Sequence, residues 1–171
     1  MPHRAAVPFH LKRSQDTYSG MAYTSTTETV HGLLRLEGDE LAIQWRLSRR
    51  TDHVGGASYH TEEELESVRE IILPLAAVAG ATVRRPWWGL GTARLALRAA
   101  DLRAFEGVTG EGGLKLAHPA ELVFRLRRED VLAAEEFAAE LALALAERSL
   151  AQGHDRDRLP GGGSGALPPV D

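Results

Sequence analysis

The sequence predicts a mainly β domain, an antiparallel barrel or sandwich of about seven strands capped by one C-terminal α-helix. Three observations carry this. Residues 30–127 show apolar alternation in short runs separated by turn residues. A single stretch at helical spacing follows over residues 130–150. The chain has 171 residues, 43% of them hydrophobic, which suits one domain with a core of its own.

The elements follow in order. Residues 1–27 lack periodicity and are rich in Ser, Thr and Tyr, which predicts a flexible N-terminal arm. Residues 30–36 read as a strand with Leu34 and Leu36 inward and Arg35 outward, ending in the tight turn Glu37-Gly38-Asp39-Glu40. Residues 40–50 alternate, with Leu41, Ile43, Trp45 and Leu47 on one face and Ala42, Gln44, Arg46 and Ser48 on the other. Residues 51–66 read as a long polar loop through Gly55-Gly56 and Glu62-Glu63-Glu64. Further strands are predicted at 68–73, 79–85, 92–98, 113–116 and 121–127. The last turns Leu122, Phe124 and Leu126 inward. In the helix, Asp130 is placed as N-cap, and Ala134, Phe137, Ala138, Leu141 and Leu145 form the inward stripe. A weaker stripe of Leu132, Ala139, Leu143 and Leu150 is either helix-forming filler or a second packing face. The domain is thus placed at 28–150. Residues 151–171, with Gly161-Gly162-Gly163-Ser164-Gly165 and Pro168-Pro169, cannot bury enough apolar surface to offset their ordering entropy and are predicted disordered.

Composition narrows function. A net charge of -4 argues against a broad nucleic-acid surface. Cysteine is absent, which excludes disulfides and thiolate chemistry and fits a reducing, cytoplasmic setting. The longest apolar stretch, residues 71–83, is broken by Pro74 and Gly80 and falls short of the roughly 20 residues of a membrane helix, so no transmembrane segment is expected. The start of the chain is too polar for a signal peptide.

One local cluster stands out: Arg84-Arg85-Pro86-Trp87-Trp88-Gly89-Leu90-Gly91. Trp and Arg dominate interface hot spots, so Arg84, Arg85, Trp87 and Trp88 are the candidate binding surface. The same residues suit a membrane surface, and the alternative is that one or both rings cover an open end of the barrel. Of the seven histidines, none pairs at i, i+4; His53 and His60 with Glu62–Glu64 are the only set that could gather a cation, and a solvated acidic loop accounts for them equally. No serine lies in a G-x-S-x-G elbow, and neither glycine cluster has the phosphate-loop pattern. No catalytic set, metal or cofactor is expected.

The run Gly32-Leu33-Leu34-Arg35-Leu36-Glu37-Gly38-Asp39-Glu40-Leu41-Ala42-Ile43 resembles the first hairpin of the small bacterial pleckstrin-homology-like (PH-like) domains. Ile72-Leu73-Pro74-Leu75-Ala76-Ala77-Val78-Ala79-Gly80 resembles the strand leading into that family's fourth. The strand at 122–126 with the helix at 133–141 resembles its closing elements. The resemblance implies a PH-like barrel with a non-catalytic role in protein–protein contact or self-association. The alternative is a membrane-surface or small-ligand binder using the Trp87/Trp88 turn or the barrel interior. Family members that bind phosphoinositides use basic residues around the first hairpin. Here Glu37, Asp39 and Glu40 would repel a phosphorylated headgroup, which argues against that ligand.

Overall fold

A computed structural model describes residues 4–56, 58–86, 91–108 and 118–157. Among the described residues the fold has eight antiparallel strands and one C-terminal helix: β1 Arg4–Ser19, β2 Ala22–Glu37, β3 Glu40–Gly55, β4 Ser58–Leu65, β5 Arg69–Pro74, β6 Val78–Arg84, β7 Arg94–Ala99, β8 Glu121–Arg125 and α1 Val131–Asp157. The sheet is open, in the order β4-β3-β2-β1-β8-β7-β6. One edge of β3 pairs with β2 along its whole length. The other is shared, β5 lying along Glu40 to Trp45 and β4 along Ser48 to Gly55.

The core is one apolar cluster drawn from both ends of this path, which gives the sheet its sandwich-like form. Val7 and Phe9 of β1, Leu34 and Leu36 of β2, Leu41, Ile43 and Trp45 of β3, Leu95 and Leu97 of β7, and Leu122 and Phe124 of β8 are all buried. The period-2 alternation read from β3, β7 and β8 is therefore the buried face of each strand. Along α1, Ala134, Phe137, Leu141 and Ala144 are buried, and the helix packs on β6 and β1. Leu132, Leu143 and Leu150 are exposed, so the second stripe faces outward. Among the described residues no polar or charged side chain is buried.

Four expectations change. Residues 4–27 are not an arm: they form β1 and the start of β2, paired without interruption from Arg4↔Glu37 to Ser19↔Ala22. Residues 51–66 are not a loop: β3 continues to Gly55 and β4 returns along it. The hairpin at 30–50 is consequently the second of the fold, preceded by β1, and the strands among the described residues number eight. The helix runs on to Asp157, past the expected end at 150, and begins at Val131 after a 3-10 turn over Arg128–Asp130. The strand expected at 113–116 lies outside the described residues, as does the tail from 158.

One physical reason underlies the second correction and residues 12–27 of the first, while Val7, Phe9 and Leu11 alternate inward over a run too short to stand out beside them. Beyond the row Leu11–Val30–Leu47, the four strands β1 to β4 leave the core and continue as a projecting blade, largely polar on both faces up to its tip. A strand solvated on both sides has no reason to alternate, so periodicity is silent there. Two-residue turns set its register. Gly20 opens the β1–β2 turn at φ 61, a left-handed conformation that glycine adopts without steric cost.

Candidate functional site

The segment singled out by sequence divides. Arg84 closes β6, and its guanidinium lies 4.0 Å from Glu121 of β8. Arg85 makes a bidentate pair with Glu135 of α1, its Nε donating to Oε1 at 2.8 Å and a terminal nitrogen to Oε2 at 2.7 Å. Arg85 thus ties the end of β6 to α1, while the Arg84–Glu121 approach is too long for a hydrogen bond. Trp87 and Trp88 lie outside the described residues.

Beside this segment is a cleft of about 700 Å³ lined by, among others, His10, Arg85, Thr92, Arg127, Arg128 and Val131. Its lining is cationic. Burial, with Arg127, His31 and Arg125 nearby, pushes the His10 imidazole below its usual range. The His10 Nδ1 is buried without a hydrogen-bond partner among the described residues.

A second candidate surface, which the sequence reading missed, is the tip of the blade. Register places Tyr18 opposite Tyr23, Tyr23 opposite Val54 and Val54 opposite Tyr59, one row across all four strands on one face. These are all three tyrosines of the chain. Tyr18 is 75% exposed, Tyr59 63% and Val54 40%, and Met21 at the adjoining turn is 97% exposed. The Tyr18 and Tyr23 rings pack at 5.0 Å.

The tyrosines are held from beneath. The Tyr23 hydroxyl donates to Asp16 Oδ1 at 3.0 Å and the Tyr59 hydroxyl to Asp52 Oδ1 at 2.9 Å. Asp52 also accepts from Thr61 at 2.7 Å and from Arg50 at 3.1 Å, and Asp16 from Ser25 at 2.8 Å. Hydrogen bonds from Thr61, Tyr59 and Arg50 keep the Asp52 carboxyl below its ordinary range. Two anchored carboxylates thus fix two of the rings, so little rotamer entropy is left to lose when a partner covers them. The sequence does carry a signal for this row. Tyr18 and Tyr23 stand symmetrically about Gly20-Met21, as cross-strand partners flanking a two-residue turn must.

On the opposite blade face, the first row beyond the core reads Arg13–Glu28–Arg49–Glu64 across β1 to β4. Arg49 bridges Glu28 at 3.2 Å and Glu64 at 3.1 Å. Two rows further, His53 and His60 are direct partners with stacked rings 6.5 Å apart, His53 Nδ1 lies 3.2 Å from the Thr24 hydroxyl, and His60 meets Glu62 at 3.4 Å. Among the described residues no three His, Asp or Glu side chains converge as a cation site. At the turn between β2 and β3, Arg35 is held by Glu37 at 3.1 Å and Glu70 at 2.9 Å. Among the described residues no helix is long and apolar enough to cross a membrane.

Comparison of the chain with family models, curated proteins and solved structures finds no match.

Proposed function

We propose that this chain is a non-catalytic, PH-like binding module that works in the cytoplasm by contacting protein, and that the tip of the blade is the surface it presents. The row Tyr18–Tyr23–Val54–Tyr59 with Met21 carries the reading. A projecting sheet adds nothing to the core, yet here it holds exposed aromatic rings in fixed positions. Anchored tyrosine at the centre of a contact is the pattern of an interface hot spot. The carboxylates under the rings (Asp16 and Asp52), with Glu63 further along the same face, favour a protein partner over an anionic lipid surface. The acidic turn at 37–40, with Arg35 already engaged, supports no phosphoinositide contact.

The test compares proteins retained from the native host by the wild-type chain and by Tyr18→Ser/Tyr59→Ser, with liposome pelleting in parallel. Loss of a specific retained protein in a variant that melts normally supports the reading. Equal retention by both chains, or saturable pelleting with phosphoinositide-bearing liposomes, overturns it. A second reading, a small anionic ligand, is favoured by the cationic cleft beside Arg85, and a melt raised by inorganic phosphate in wild type and not in Arg128→Gln would support it.

A further inference from the structure

We infer that the blade pairs with a second copy of this chain, the β4 edge of one copy lying along the β1 edge of the next. The inference rests on the blade being a contact surface and names its partner. Both outer edges of the blade are open among the described residues. β8 meets β1 only at His10, leaving the side of residues 12–19 that faces away from β2 unpaired, and β4 ends the sheet on the far side. Ser58–Leu65 is eight residues long. Open edges of this kind present unpaired N–H and C=O groups and are templates for another strand.

The charges on the two edges select the pairing. β4 carries Glu62, Glu63 and Glu64, and β1 carries Lys12 and Arg13, neither in an ion pair with another described residue. Two β4 edges repel each other. A β4 edge against a β1 edge brings opposite charges together. The register already present extends naturally: the alternating row Arg13–Glu28–Arg49–Glu64 ends in a cation on one edge and a carboxylate on the other. Continuing it by one strand sets Arg13 of the second copy opposite Glu64, with Ser14 opposite Glu63 and Tyr18 opposite Tyr59. Lys12 then lies over exposed Leu65, diagonal to Glu63. The charged row and the aromatic row both propagate, on opposite faces. A contact between two different edges is heterologous, so it builds rings or open chains rather than a closed dimer.

The experiment is sedimentation velocity on the full chain in low salt, from about 1 to about 200 µM, the range of weak pairwise contacts. Wild type should associate with concentration, and 0.5 M salt should weaken it. Lys12→Glu/Arg13→Glu makes both edges acidic, and Glu62→Lys/Glu64→Lys makes both basic. Each alone should stay monomeric, and an equimolar mixture should associate again, with circular dichroism melts confirming that both fold. Because the chain has no cysteine, register is read directly by mixing Ser14→Cys with Glu63→Cys. A disulfide-linked heterodimer is expected within minutes under mild oxidation. A monomeric wild type at the highest concentration, a mixture that fails to associate, or cross-linking of Ser14→Cys to itself overturns the inference. If wild type is monomeric while Tyr18→Ser/Tyr59→Ser still loses a host protein, self-pairing alone is wrong and the blade remains a contact surface.

Discussion

Gly32 sits between two aromatic residues, opposite Phe9 on β1 and opposite Trp45 on β3. The Phe9 ring lies over it, 4.4 Å centroid to centroid from Phe124, at the point where β1 meets β8. A methyl group added to Gly32 would enter the Phe9 ring and come within 2.6 Å of the Gln44 carbonyl oxygen. In an open strand, Gly→Ala stabilises by about 0.4–1 kcal/mol through the unfolded chain. Here the sign reverses. Overpacking costs about 1–3 kcal/mol, and the ceiling is what Phe9 loses if displaced, about 3–5 kcal/mol. We expect Gly32→Ala to cost about 3 kcal/mol, lowering a urea midpoint by about 1.5 M at a slope near 2 kcal/mol/M. In a Phe9→Leu background the added cost should fall, though not to zero, because the Gln44 carbonyl stays in place. A Gly32→Ala protein as stable as wild type, or an unchanged cost in the Phe9→Leu background, would refute the close approach.

Phe137→Ala should cost about 3–5 kcal/mol, because the ring is fully buried where α1 packs on the sheet, and a thermal melt should fall by about 10 °C. His10 gives a pH dependence. Its folded-state pKa lies below 6.5, so as pH falls past 6.5 the unfolded chain takes up a proton that the folded chain refuses. Stability should decline through that window, down to the folded-state pKa, and His10→Gln should remove this part of the slope in denaturation measured at several pH values. Asp52 acts with the same sign lower on the pH scale: its carboxyl should titrate below 3.8, so its contribution is present above that value and lost as pH falls through the lower folded-state pKa. In a carbon-detected NMR titration, Thr61→Ala should move it up, and a wild-type value at or above 3.8 would contradict the hydrogen bonds drawn to it.

Where an element has one dry side along most of its length, the sequence made it legible; β1, dry only at Val7, Phe9 and Leu11, was not. Leu41, Ile43, Trp45 and Leu47, then Leu122, Phe124 and Leu126, then Ala134, Phe137 and Leu141 all face inward as their spacing requires. The blade was illegible for the converse reason. Thr24, Thr26, Arg50, Asp52 and Thr61 are solvated or half-buried on either face, so the strands they form are held by backbone pairing and cross-strand polar contacts that leave no hydrophobic period. The candidate surface went unread with it. Tyr18 and Tyr59 are far apart in the chain, and only the register of four strands brings them into one row.

The joint between β1 and β8 has a consequence for how the chain acquires this shape. His10 meets Arg125 across about 115 residues, whereas β1 to β5 are joined by short turns and form a run of local contacts. Closing the long loop costs entropy before any contact repays it. The N-terminal meander should therefore zip first, with β6 to β8 and α1 docking onto it in the slow step. In that interval the row Val7, Phe9 and Leu11 waits uncovered, and α1, which is synthesised after all of β1 to β8, is among the elements that shield it.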